Sequence, residues 1–308
     1  MIEAQGVSKR YGSVQALEDV SFQASEGSVV GLLGQNGAGK TTLLRIMTGY
    51  LAATSGRVLI RGADPLLSPG KAKAHLGYMP EHPPLYDEMT VWEYLRFVSR
   101  LKGVHPRAIG DHAREVMRVT GLSEMRNRLL GHLSKGYRQR TGLAQALCGD
   151  PEVLILDEPT SGLDPKQITE IRQLMKSLSV GRTILFSSHI LSEVQQLCNC
   201  VVILNRGRVK MDVSLDRLNT GGNVTLLCWI RGKGEGLFSA LRRMAGIREV
   251  RLEPSPGPEV TSVTLIFGGE GQPEEALFAL LSGLAMPILR LQRQESSLEQ
   301  VFLDVISE

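Results

Sequence analysis

The chain has 308 residues, with 35 Lys and Arg against 32 Asp and Glu, a formal net charge of +3, 22% charged and 42% hydrophobic residues. At roughly 150 residues per domain this length predicts two domains, each able to bury a core unaided. The balance excludes a disordered chain, a supercharged tail and a polybasic nucleic-acid binder.

The first ten residues place Glu3 where a secretory signal would be basic and lack an apolar centre, which predicts a chain kept in the cytoplasm. From Met1 to about Met211 short Val-, Ile- and Leu-rich runs alternate with helical patterns. Strands are predicted near Ile2, Val20, Gly31, Val58, Gly77, Leu154, Leu185 and Ile203, the rhythm of an α/β domain with a largely parallel sheet. Thr90-Val-Trp-Glu93 reads as a capping box, followed by Val91, Tyr94, Leu95, Val98 and Leu101 at helical spacing. That segment is either a helix covering the sheet or a partner-docking subdomain. Cys198 and Cys200 form a C-x-C with no second pair at zinc spacing, so the four cysteines are expected to be ordinary buried thiols.

After Asp216 a new alternation begins. A strand at Val224 to Ile230, a helix with Leu237, Leu241 and Met244 on one face, strands near Val250 and Val263, a helix with Ala276, Leu277, Leu280, Leu281 and Leu284, and a strand at Ile288 to Leu291 predict a β-α-β-β-α-β ferredoxin-like domain. A last helix is predicted from the capping box Ser296-Ser-Leu-Glu299, with Leu298, Val301, Phe302 and Val305 on one face. No run approaches the ~18 apolar residues of a membrane helix.

The residues with chemical potential lie in the first part. Gly34-Gln-Asn-Gly-Ala-Gly-Lys-Thr41 matches G-x-x-x-x-G-K-[ST], follows the apolar run Val29 to Leu33 and precedes a helical run from Thr42 to Met47. Glycines let backbone N–H groups turn inward around phosphate oxygens, and the helix N-terminus adds positive potential. Lys40 would reach the β- and γ-phosphates and the Thr41 hydroxyl would ligate Mg²⁺. Val153-Leu-Ile-Leu-Asp157-Glu158 sets two carboxylates at a strand's carboxyl end, Asp157 to hold Mg²⁺ and Glu158 to orient or deprotonate water. Ser134 and Gly136 open a helical run to Leu147 as an N-cap whose free N–H groups could face an anion. Ser187-Ser-His189 ends the next strand.

In order along the chain, the loop at Gly34, Tyr78-Met-Pro-Glu81, Leu133-Ser-Lys-Gly136, the strand ending at Glu158, Ser161-Gly-Leu-Asp164 and His189 resemble the nucleotide-binding subunits of ABC transporters. The resemblance covers Met1 to about Met211. It implies a P-loop NTPase core with a helical subdomain over about 88–150 and an antiparallel β subdomain, within residues 1–215, followed by the α+β domain over 216–308. It also implies ATP and Mg²⁺ as ligands and a homodimer that sandwiches two ATP molecules. Residue by residue, Gly34, Gln35, Asn36, Gly37, Ala38, Gly39, Lys40, Thr41 and Thr42 would hold phosphate. Tyr11 would stack on adenine, Ser134 and Gly136 would bind γ-phosphate across the dimer, Asp164 would link the two sites, and His189 would contact γ-phosphate.

The segment Leu76 to Tyr86, the signature with Lys135 and Tyr137, and Ser297 to Phe302 resemble the ABC-2-type exporters, particularly the gliding-motility-like ones. This implies membrane contact only through separate ABC-2-type permease subunits, on the inner face of the cell membrane, and no nucleic-acid partner. An importer subunit is the alternative within the class. Glu81 stands where most members carry a Mg²⁺-touching glutamine, so it either ligates the metal or swings toward the partner. Tyr137 replaces the usual signature glutamine. Chromosome-organising relatives would need a long coiled coil, yet only 94 positions separate Lys40 from Ser134, without sustained heptads. Ribosome-associated relatives usually carry two ATPase units, whereas this chain has one glycine loop.

Overall fold

A computed structural model describes residues 1–215, 224–232, 235–268, 272–294 and 302. The chain divides into two compact units, Met1–Val213 and Ser214–Glu308. The helix predicted over Ser296 to Val305 lies outside the described residues, apart from a half-buried Phe302.

The first unit is built on two sheets. Strands β1 (Ile2–Tyr11), β2 (Val14–Ala24) and β4 (Ser55–Ile60) form an antiparallel sheet in the order β2-β1-β4. The larger sheet has six strands in the order β5-β6-β7-β3-β8-β9. These are β3 (Val29–Leu33), β5 (Leu76–Met79), β6 (Val153–Asp157), β7 (Thr183–Ser188), β8 (Cys200–Asn205) and β9 (Arg208–Ser214). Strands β5 through β8 pair in parallel in that order. Every residue of β3, β6 and β7 is buried, because a parallel strand covered on both faces needs an uninterrupted apolar run. Eight of the strands lie where sequence periodicity predicts them. The edge strand β9 was not predicted, since Arg208, Lys210 and Asp212 leave it no apolar run.

Helix α1 (Lys40–Met47) buries Leu43, Leu44, Ile46 and Met47 in one cluster with residues of both sheets, among them Val7, Leu17, Val20, Val30, Leu32, Ile155 and Val202. This packing anchors the loop that precedes the helix. Helix α2 (Pro69–Ala74) precedes β5, and α3 (Val91–Leu101), α4 (Ile109–Val119) and α5 (Lys135–Leu147) lie between β5 and β6. The capping box at Thr90 is complete: the Glu93 N–H donates to Thr90 Oγ1 at 3.2 Å and the Thr90 N–H to Glu93 Oε2 at 2.9 Å. Val91, Tyr94, Leu95 and Val98 are buried as expected, but Leu101, in the last turn, is 71% exposed. Helices α6 (Pro165–Leu178) and α7 (Leu191–Leu197) follow β6 and β7.

The second unit places β11 (Ile247–Glu253), β12 (Val260–Phe267), β10 (Val224–Arg231) and β13 (Ile288–Gln294) side by side in that order, all antiparallel. With helices at Glu235–Arg242 and Pro273–Gly283, this is the predicted ferredoxin-like arrangement. Leu237, Leu241, Leu277 and Leu281 close its core against Leu226, Cys228, Ile230 and Leu265. The second helix's apolar face is narrower than predicted: Ala276 is exposed, and Leu284 is the exposed residue that caps the helix. All four cysteines are free thiols, but only Cys148 and Cys228 are buried; Cys198 and Cys200 are half-buried.

Candidate functional site

The loop between β3 and α1 makes a tight arch. Gly37 and Gly39 adopt φ of 81° and 107°, the left-handed region that disfavours side chains. At Gly39 a Cβ would also sit 2.8 Å from the Ala16 carbonyl oxygen, so two independent constraints select glycine there. Lys40 turns back over the arch, its Nζ donating to the Gly34 carbonyl at 2.8 Å and lying 3.4 Å from Glu158 Oε1. Gln35, Asn36, Gly37, Gly39, Lys40, Thr41 and Thr42 line a cavity of about 380 Å³, joined by Glu81, Glu158, Ser161 and His189 from other segments. Gly34, Ala38 and Asp157 are buried behind that lining.

The floor of the cavity is the carboxyl end of β6. Asp157, 1% exposed, accepts from Ser187 Oγ at 2.6 Å and stands 3.5 Å from Thr41 Oγ1. Burial pushes its carboxyl above the ordinary range, the Ser187 and Thr41 hydrogen bonds pull it down, and the charges of Glu158 and Glu81 push it up again. Two hard oxygen donors at this spacing, on a buried carboxylate that would gain from a nearby cation, fit a divalent ion such as Mg²⁺. Glu158 follows at φ 46°, a left-handed conformation that costs a non-glycine residue roughly 1–2 kcal/mol. The turn aims its carboxylate into the cavity, where Oε2 lies 2.9 Å from His189 Nδ1. Its N–H donates to Ser187 Oγ at 2.8 Å.

Glu81 borders the cavity and accepts from Ser161 Oγ at 3.2 Å. Tyr78, three residues before it, has its phenol pushed up to about 12 by burial and then by the Asp157 charge, so the ring is a neutral neighbour of the acidic strand. Tyr11 is not in the cavity lining. Its ring ends β1 at 47% exposure with Lys9 Nζ 5.3 Å from the centroid.

Ser134, Gly136 and Asp164 do not join the loop cavity either. They line a second hollow of about 580 Å³ with Tyr137, Arg140 and Gln167. Ser134 stands at the N-cap position of α5 as predicted, but its side chain makes no capping hydrogen bond. Asp164 instead caps α6, accepting from the Gln167 N–H at 2.9 Å, with Pro165 in the first turn. Gly136 faces the end of the Gln167 side chain, whose Cδ would lie 2.8 Å from a Cβ built there. Arg140 is held across the hollow by Glu170 at 2.6 Å.

Three side chains in or beside the site have no individual role in the sequence reading, although Ser161 opens Ser161-Gly-Leu-Asp164 and Ser187 opens Ser187-Ser-His189. Ser187 and Ser161 are hydroxyls in ordinary-looking positions, and Gln139, whose Nε2 donates to the Pro159 carbonyl at 2.9 Å, lies within a helix far from that loop in sequence. Only the strand register Asp157↔Ser187 could have singled out Ser187.

A glycine arch between the buried parallel strand β3 and helix α1, with an acidic pair at the carboxyl end of β6, two strands away in the same sheet, defines a P-loop nucleoside triphosphatase of the ATP-binding-cassette class, an ATP hydrolase. Residues 17–161 match the ABC transporter family model. The uncharacterized ABC transporter ATP-binding protein YxlF of Bacillus subtilis strain 168 is 33% identical over 307 residues, covering 99% of each chain. The bacitracin transport ATP-binding protein BcrA of Bacillus licheniformis is 38% identical over 71% of each chain. The linearmycin resistance ATP-binding protein LnrL of Bacillus subtilis strain 168 is 29% identical over 99% of this chain and 98% of its own. Among solved structures, the dimeric post-hydrolysis state of the cassette MJ0796 bound to ADP and Pi superposes with a TM-score of 0.64 at 25% identity, over 70% of this chain and 99% of that one. The chain belongs to the ABC transporter family of ATP-binding proteins. No helix among the described residues is long and apolar enough to cross a membrane.

Proposed function

We propose that this chain is the ATP-hydrolysing subunit of an ABC-2-type exporter, working as a homodimer beneath separate membrane-spanning subunits, with residues 216–308 as an accessory domain. The observation that carries the reading is the convergence of Lys40, Thr41, Glu158 and His189 on one cavity, with Asp157 buried directly behind Thr41. Lys40 and the loop N–H groups bind the phosphates, and the exposed Tyr11 ring stacks on adenine. Thr41 and Asp157 hold Mg²⁺, with Glu81 at the cavity wall as the third candidate oxygen ligand. The bound cation would neutralise phosphate charge. Glu158 then receives the proton of the attacking water, and His189, within hydrogen-bond reach of it, orients that carboxylate. Phosphate competes with Glu158 for Lys40, so binding of ATP frees the carboxylate that must act as base.

The dimer is supported by the separation of the two hollows. Ser134, Gly136 and Asp164 line a different surface from the loop, as a second copy's phosphate would require. The outward direction is supported by relatives named for bacitracin transport and linearmycin resistance. The deciding experiment is Glu158→Gln: hydrolysis falls by ~10² to 10⁴ while ATP binding and ATP-induced dimerisation persist. Normal hydrolysis in this variant refutes the assignment of the base.

A further inference from the structure

The acidic pair is held by a side chain that motif spacing does not single out. Ser187 is completely buried, in β7 directly opposite Asp157 in the parallel register. A serine hydroxyl has one proton to give. Its Oγ accepts the Glu158 N–H at 2.8 Å and lies 2.6 Å from the proton-accepting Asp157 Oδ1, so the roles are set by the partners: the proton goes to Asp157. At the point where β6 turns out of the sheet, this one hydroxyl replaces the ladder partner for the strained Glu158 backbone and fixes the rotamer of Asp157.

We propose that Ser187 is a positioning residue for hydrolysis, clamping together the backbone turn that presents Glu158 and the carboxylate that faces Thr41. The proposal rests on the reading of Asp157 and Glu158 given above. The Ser187 hydroxyl meets both bonds at a position closed to solvent, so removing it leaves the Glu158 N–H without that acceptor and relaxes its left-handed turn. The Glu158 carboxylate then leaves its place between Lys40 and His189. Asp157, bound by Thr41 at a longer 3.5 Å, loses its tighter restraint.

The test uses the full chain with Ser187→Ala and Ser187→Cys, the latter nearly conserving volume so that folding is retained, and Ser187→Thr as the hydroxyl-bearing control. Misplacement of reacting groups by a fraction of an ångström is expected to lower kcat by about 10- to 100-fold in the Ala and Cys variants, a larger factor than any rise in KM for MgATP. A second readout is independent of turnover: ATP affinity measured in EDTA matches wild type, whereas the affinity gained on adding Mg²⁺ shrinks. The Thr variant recovers in both. A kcat within about twofold of wild type in Ser187→Cys, or a loss confined to KM, overturns the proposal. Failure of the underlying reading looks different: there wild type itself does not hydrolyse ATP, or Glu158→Gln retains activity.

Discussion

In the first unit β3, β6 and β7 are buried along their whole length, whereas β10 in the second alternates buried with half-buried residues. The first pattern belongs to parallel strands covered on both faces, the second to an antiparallel sheet with helices on one side. Their interiors differ in the same sense. The first unit buries Lys40, Asp157, Glu158, Gln139, Ser187 and Glu193 beside its apolar core, while the polar residues buried among the described part of the second are Thr261 and Ser262. Burying charge is costly unless it is paired, so a fold that concentrates it at one strand end does so for chemistry rather than stability.

That contrast can be broken at several points. The largest expected effect is at Glu158, where Gln should cost ~10² to 10⁴ in rate and little in stability; a variant that unfolds instead would make the carboxylate a structural element. Next is Leu241→Ala in the apolar core of the second unit, expected to cost about 2–5 kcal/mol. The two tryptophans divide between the units, Trp92 in the first and Trp229 in the second, so each transition can be followed alone in Trp92→Phe or Trp229→Phe backgrounds. The Trp229 transition should shift while the Trp92 transition stays. A smaller loss, about 0.5–2 kcal/mol in the first unit, is expected for Thr90→Ala, which removes the capping box of α3. Calorimetry should detect it with ATP hydrolysis nearly unchanged.

The smallest effect is a pH dependence. His112 accepts the Gly149 N–H through Nε2, and burial holds its imidazole below the ordinary histidine value against the opposing charge of Asp150. With the folded value depressed, the unfolded chain binds more protons, so this contribution is complete above the unfolded value near 6.5 and is lost as pH falls through the folded one. Wild type should therefore lose stability relative to His112→Gln as pH is lowered from 7.5 toward 5. Parallel denaturation curves across that range would remove the effect.

Much of this is legible in the sequence. Residues Val29 to Thr41 announce strand, arch and helix because glycine at φ above zero and lysine at the helix start have few other uses in that order. The β-α-β-β-α-β succession of the second unit was equally readable, since period-2 and helical patterns alternate without ambiguity. Strand β9 was not, because an edge strand can carry charges that erase its periodicity. Helical spacing predicts Leu101 and Leu284 on apolar faces that end one turn earlier, because spacing does not say where the neighbouring surface stops.

The sequence by itself determined the class of chemistry: where the glycine arch joins strand to helix, which carboxylates end a buried strand, and that a second α/β alternation follows the first. These depend on local geometry and apolar periodicity, both written over a few neighbouring residues. Tertiary structure alone decided that Ser187 clamps Asp157 and Glu158, that Lys40 rests against Glu158, and that Ser134 and Asp164 open onto a different hollow from the loop. Those relations join residues tens to more than a hundred positions apart, and only the order and register of the sheet bring them within hydrogen-bonding distance.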